Sequence, residues 1–167
     1  MILLAIDPGT TESAWVEYDT EKRAVVQWAK EPNVTVLRRI EASDAANLSI
    51  EMIASYGMAV GREVFETCVW IGRFVQIWEN ILGDPARLVY RKEVKMHLCG
   101  SARAKDPNVR QALIDRFGGS KEAAIGKKAT PGPLYGLSGD GWAALGVAVT
   151  ATETPKQVVP SPPTQLG

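Results

Sequence analysis

Three short β-like runs crowd into the first 30 residues, and no other feature restricts the fold as much. Ile2–Asp7 is an apolar run that ends in an acid, and Pro8-Gly9-Thr10-Thr11 after it reads as a turn on its Pro-Gly dipeptide. Ser13–Tyr18 and Ala24–Trp28 carry β-branched and aromatic residues, with polar Asp19–Lys22 between them. The pattern predicts a three-stranded antiparallel meander. Beyond it, Val34–Ala42 is predicted as helix and Leu48–Ile53 as a buried strand. Val60–Leu82 is predicted as a long helix, with Val64, Phe65, Cys68, Ile71, Val75 and Trp78 at helical spacing. Arg87–Tyr90 is a further strand, and Lys92–Cys99, Asn108–Phe117 and Asp140–Thr150 are helices. Gly118–Leu137, rich in Gly, Lys and Pro, is expected to be a mobile loop. A meander followed by alternating strands and helices predicts an α/β fold. Its mixed five-stranded sheet would combine the meander with parallel strands and carry helices on both faces.

At 167 residues, 46% of them hydrophobic, the chain can bury one core but is cramped for two full domains. The expected domain covers residues 1–152. A Pro-rich tail, 153–167, follows, in which Pro155, Pro160, Pro162 and Pro163 argue for disorder. No run of roughly 18 apolar residues occurs, so no membrane span is expected. The start, MILLAIDPG, lacks the basic residues and long apolar run of a secretory signal. Cys68 and Cys99, the only cysteines, exclude a disulfide scaffold, have no metal-ligand spacing and fit a reducing cytoplasm. The single His97 excludes any site built on clustered histidines.

The net charge of zero hides a segregated distribution. Residues 87–128 hold 11 Lys/Arg against 4 Asp/Glu, and the rest of the chain holds 8 against 15. A basic segment of this kind is the electrostatic footprint of a polyanion ligand, although solvated helix faces produce the same count.

Three acids stand where acids are costly. Asp7 ends an apolar strand, Glu51 lies inside Leu48–Ile53, and Asp140 opens the apolar helix that contains Trp142–Val149. A carboxylate buried without a partner costs several kcal/mol, by order of magnitude. Taken singly, Asp7 also suits a turn, Glu51 a strand end at the surface, and Asp140 a helix N-cap. Taken together, they suggest one shared partner. A hard divalent cation such as Mg²⁺ takes oxygen ligands and is usually held by a few carboxylates plus substrate phosphate. A pair of such ions about 4 Å apart activates water and stabilises the leaving oxygen of a phosphodiester.

Ala5-Ile6-Asp7-Pro8-Gly9, Ser49-Ile50-Glu51, and Gly139-Asp140 before Ala144–Val149 resemble the RuvC-type Holliday junction resolvases. So does the basic stretch Val94-Lys95, Gly100–Lys105 and Asn108-Val109. Ser55-Tyr56-Gly57-Met58 and Pro131–Gly136 give it the look of a phage-encoded variant. The resemblance spans roughly residues 2–150. It implies an RNase H-like fold and a homodimer whose subunits each cut one strand of a four-way DNA junction with Mg²⁺, or Mn²⁺ in its place. Asp7, Glu51 and Asp140 would be the catalytic metal ligands. Lys105, by its match to the family's second lysine, would lie near the scissile phosphate. Lys95, Arg103, Lys105 and Arg110 would contact backbone phosphates, which position DNA without reading its sequence. Thr10, beside the first ligand, would bind phosphate or serve the turn. Tyr56 is the nearest candidate for the aromatic that the family wedges into the junction, or else a packed loop residue.

Two departures stand out. The family usually places a second aspartate three residues after the first before its last helix, where this chain has Ala143. Three residues after Glu51, Ala54 stands in place of an aromatic. The long helix 60–82 is apolar over much of its circumference, through Phe65, Trp70, Phe74, Trp78 and Ile81, with Met58 just before it. Such a helix needs cover, and in the resembled family it lies at the dimer interface. Two other functions compete. Ala143 admits a non-cleaving junction-binding protein. Asp7-Pro-Gly-Thr-Thr also resembles the first phosphate loop of sugar-kinase and actin-like ATPases, which need a second domain that this length does not supply.

Overall fold

A computed structural model describes residues 1–155. Strands β1 (Ile2–Asp7), β2 (Glu12–Asp19) and β3 (Ala24–Pro32) form the expected antiparallel meander. Helix α1 (Asn33–Glu41) leads to β4 (Asn47–Met52), and α2 (Arg62–Leu82) leads to β5 (Arg87–Tyr90). Both β4 and β5 run parallel to β1, giving one five-stranded mixed sheet in the order β3-β2-β1-β4-β5. Helices α3 (Arg91–Cys99), α4 (Asp106–Phe117) and α6 (Gly141–Glu153) complete the domain, with a short α5 (Lys121–Ala124) between α4 and α6.

The central strand explains the layering. Successive side chains of a strand point to opposite faces, and β1 is apolar on both. Leu3 and Ala5 join Val16, Val89 and the α6 residues Ala144, Leu145 and Ala148 in one core. Leu4 and Ile6 join Leu48, Ile50, Val36 of α1 and Ile71, Phe74 and Trp78 of α2 in the other. A strand covered twice reads as a continuous apolar run, which is why Ile2–Ile6 shows no alternation in sequence. Helix α6 is buried from Trp142 to Thr150 apart from the half-buried Ala143. Gly141 lets it enter close to the sheet, since a Cβ there would stand 2.7 Å from the Trp28 ring and 2.8 Å from Leu137.

Four expectations are revised. The segment 118–137 is packed structure, not a mobile loop. It contains α5 and a small antiparallel ladder of β6 (Gly126–Lys127) and β7 (Thr130–Pro131), and Ala124, Leu134 and Leu137 are buried in the α6-side core. Its glycines serve close approach, not mobility. A Cβ on Gly132 would sit 2.4 Å from the carbonyl oxygens of Ala123 and Ala124, and one on Gly118 would sit 2.3 Å from the Ala124 amide.

Strand β3 continues four residues past Trp28 because β2 supplies partners as far as Pro32. Helix α6 runs through Glu153, one residue beyond the expected domain end, where Glu153 pairs with Arg23, His97 and Arg116. The remainder of the expected disordered tail, 156–167, lies outside the described residues. Helix α2 is covered by its own protomer along one stripe only: Ile71, Phe74 and Trp78 are core, so the last two are not at a surface contact, whereas the apolar Phe65 and Val69 are 63% and 56% exposed. Among the described residues, no helix is long and apolar enough to cross a membrane.

Candidate active site

Register and pleat bring the first two acids together. Ile6 of β1 pairs with Ile50 of β4 in a parallel ladder, so Asp7 and Glu51 occupy the next step along neighbouring strands. Both share the parity of Ala5 and Ser49, so their side chains leave the sheet toward α6. Asp140 immediately precedes α6. The three acids line one cleft of about 120 Å³. Asp7 is half-buried, Glu51 is 8% exposed, and Asp140 lies at the mouth. Asp140 does not act as a cap: its backbone is already helical, with φ −71° and ψ −10°, and its side chain accepts no capping hydrogen bond.

The electrostatics are those of crowded carboxylates. Burial first, then the charges of Glu51 and Asp140, push the Asp7 carboxyl up to about 8, with Arg91 and Lys30 offsetting part of the rise. Burial also raises Glu51 above its usual range, against the pull of Arg91. Resident cations sit on the other two acids. Lys30 Nζ lies 2.7 Å from Asp140 Oδ2, a contact that raises the lysine. Arg91 Nη1 donates to both Glu51 oxygens, at 3.2 and 3.3 Å, while Nη2 donates to Asp106.

An all-oxygen, partly buried set of mutually repelling carboxylates has the chemistry that a hard divalent cation requires. Among the described residues, however, no three Asp, Glu, His or Cys side chains stand ready-made around a common point. Ala143 lines the cleft with only a methyl group, and Asp106 lines it from the start of α4.

The DNA-contact candidates divide by place. Lys95 lines the acidic cleft and an adjoining groove with Tyr56, Arg91, Lys92 and Ala102. Tyr56 is 59% exposed, with a left-handed backbone at φ 48°. Arg110 lies over the Trp142 ring at 4.9 Å, in a groove on the other flank that includes Asp106 and Lys121. Arg103 is exposed and lines none of these walls; Lys105 is exposed at the start of α4, outside the cleft that its neighbour Asp106 lines. Thr10 is half-buried in the turn after β1. That turn is fastened by Asn33, which donates to the Gly9 carbonyl and accepts from the Ser13 hydroxyl. His97 faces Glu153, at 2.7 Å, away from the cleft-lining set.

Sequence reasoning missed Lys30, Arg91 and Asp106. Lys30 pairs with Ala14, which pairs with Asp7, so the three form one row across the sheet. Arg91 follows Tyr90, whose partner Met52 follows Glu51. Both signals exist only once strand register is known.

Neither a protein-family model nor a curated protein matches the sequence. Among solved structures, the chain is similar to Thermus thermophilus RuvC, at 18% identity and TM-score 0.59, over 90% of this chain and 92% of that one. It is also similar to T. thermophilus RuvC in complex with Holliday junction substrate, at 18% identity and TM-score 0.60 with the same coverage. At this identity the likeness is one of fold: the chain has the RuvC-like, RNase H-like α/β architecture.

Proposed function

We propose that this protein is a metal-dependent, structure-specific endonuclease that hydrolyses phosphodiesters in four-way DNA junctions and other branched DNA. The observation that carries the reading is the meeting of Asp7, Glu51 and Asp140 in one cleft, from adjacent parallel strand ends and the start of the last helix. The RuvC-like topology and the basic, aromatic-bearing groove beside the cleft support it. Ser55–Met58 and Pro131–Gly136 favour a phage-encoded variant.

Asp7, Glu51 and Asp140 would hold Mg²⁺, with Mn²⁺ as a substitute. When bound, the metal would activate water and offset charge on the phosphate. Burial of Asp7 and Glu51 keeps these side chains in place and limits solvent around the reacting group. Lys95 and Tyr56 supply a cation and a stacking face in the adjoining groove, suited to a backbone phosphate and an unpaired base. Lys105, Arg103, Arg110 and Thr10 are proposed as outer contacts that position the DNA.

The exposed face of α2, with Phe65 and Val69, is proposed as the homodimer contact, which would place two clefts on one junction. Phe74 and Trp78, expected in that contact from sequence, belong to the protomer core. Ala143 and the two resident cations favour the second reading, a non-cleaving junction-binding protein. Incubation of a mobile and a fixed four-way junction, beside linear duplex, with Mg²⁺ or Mn²⁺ separates the two. Paired nicks in junction strands support the nuclease, and tight binding with no nicks supports the second reading.

A further inference from the structure

We infer that Arg91, anchored by Asp106, is the cation that contacts the scissile phosphate. This assignment rests on the proposed nuclease reading and gives Arg91 the place that the family resemblance offered to Lys105. Three observations support it. First, Arg91 and Lys95 are the basic side chains that line the acidic cleft, whereas Lys105 does not. Second, Arg91 also lines the neighbouring groove with Tyr56 and Lys95, so its guanidinium stands between the carboxylates and the groove proposed for the DNA strand. Third, its fork is held from two sides. Nη1 faces Glu51 and Nη2 faces Asp106.

A guanidinium carries five N–H donors in a rigid plane and matches phosphate geometry, whereas a lysine ammonium is a point charge. Asp106 matters because it is outside the three-acid set. It retains the guanidinium at the cleft wall when Glu51 serves another ligand. An Asp at the first position of α4 would otherwise repel a phosphate. Paired with Arg91, it becomes the support for a phosphate contact.

A purely structural clamp joining β4 to α4 would use the same three side chains, so the test must read DNA contact directly. Binding of a fixed four-way junction is measured against monovalent salt, with a low constant Ca²⁺ concentration as the divalent ion. One lost phosphate contact makes the slope of log K against log salt shallower by about 0.9 per subunit. Arg91→Gln is expected to produce that change, and Arg91→Lys to keep the wild-type slope. Cleavage by Arg91→Lys is expected to fall at least tenfold, because the ammonium cannot span Asp106 and phosphate as a fork does.

If wild type binds the junction and Arg91→Gln leaves the slope unchanged, Arg91 is a clamp and the inference is wrong. Wild-type cleavage rates in Arg91→Lys, the more conservative variant, would overturn it equally. If wild type itself shows no preference for the junction over linear duplex, the nuclease reading falls first and takes this assignment with it.

Discussion

Removing the charge of Asp7 should stabilise the metal-free protein, the opposite of the usual effect of changing a half-buried polar residue. The folded carboxyl is pushed from 3.8 to about 8 by burial and by its acidic neighbours. Below pH 3.8 the group is protonated in both folded and unfolded chains, and its ionisation costs nothing. Between pH 3.8 and 8 the unfolded chain releases the proton while the folded chain retains it, so stability falls as pH rises. Each tenfold difference in proton affinity between the two chains is worth about 1.36 kcal/mol, which gives a penalty of roughly 5 kcal/mol at pH 8 by this rule. Local relaxation around the ionised carboxylate makes that figure an upper bound, and a gain of about 2 kcal/mol, within the usual range of single substitutions, is expected for the variant.

For a chain of this size each 1 kcal/mol moves the melting midpoint by roughly 2–4 °C. Asp7→Asn should therefore melt at least about 4 °C above wild type at pH 8 in EDTA, with the gap closing toward pH 4. Mg²⁺ or Mn²⁺ should raise the wild-type midpoint and leave Asp7→Asn nearly unmoved. The assay is calorimetry across pH 4–8, with and without divalent ions. A variant that melts below wild type at pH 8 in EDTA would instead show that the Asp7 carboxylate is stabilised by its surroundings.

Three further outcomes follow from the geometry. Sedimentation at micromolar concentration should give about twice 18.1 kDa for wild type, and Phe65→Glu with Val69→Glu should give a folded monomer. Phe74→Glu should instead fail to fold, because Phe74 is fully buried. Junction affinity should fall with salt at a slope of roughly −4.5 per subunit for the five contacts Lys95, Arg103, Lys105, Arg110 and Arg91, by the counterion rule. Lys95→Ala should reduce that slope by about one and weaken binding to all sequences alike. Lys30→Met should leave the fold intact and tighten Mn²⁺ binding in calorimetric titration, because the ammonium 2.7 Å from Asp140 no longer competes for it.

The strand–helix order could be read from the sequence because apolar runs and turn dipeptides mark it locally. Strands β1 and β5 keep their expected bounds, and Asp7, Glu51 and Asp140 could be singled out because each interrupts or ends an apolar element. The neighbours of these acids depend on partners distant in sequence. Ala29-Lys30-Glu31-Pro32 has no strand-like pattern of its own and becomes strand only because β2 lies beside it, so nothing local marks Lys30 as a neighbour of the acids.

Arg91 meets Glu51 through the parallel pairing of β4 and β5, and Asp106 is brought to the same point by the α3–α4 turn. Composition misled at 118–137, where Gly and Pro suggested mobility but serve tight packing of α5 against the chain that returns past Gly132. In α2 the sequence offers two apolar stripes without saying which is core. Burial of polar Thr67 on the same stripe as Ile71, Phe74 and Trp78, with Phe65 left exposed, runs against residue polarity.

Strand cleavage tests the nuclease assignment most directly. A fixed four-way junction, labelled on each strand in turn, is incubated with wild type, Asp7→Asn, Glu51→Gln and Asp140→Asn in Mg²⁺ and in Mn²⁺, with binding measured on the same samples. Symmetric nicks in opposite strands are expected with wild type, none with the three variants, and junction binding is expected to be retained by all four. Undiminished cleavage by any one variant would remove that acid from the site. Absence of nicks from wild type that binds the junction tightly would contradict the nuclease account itself.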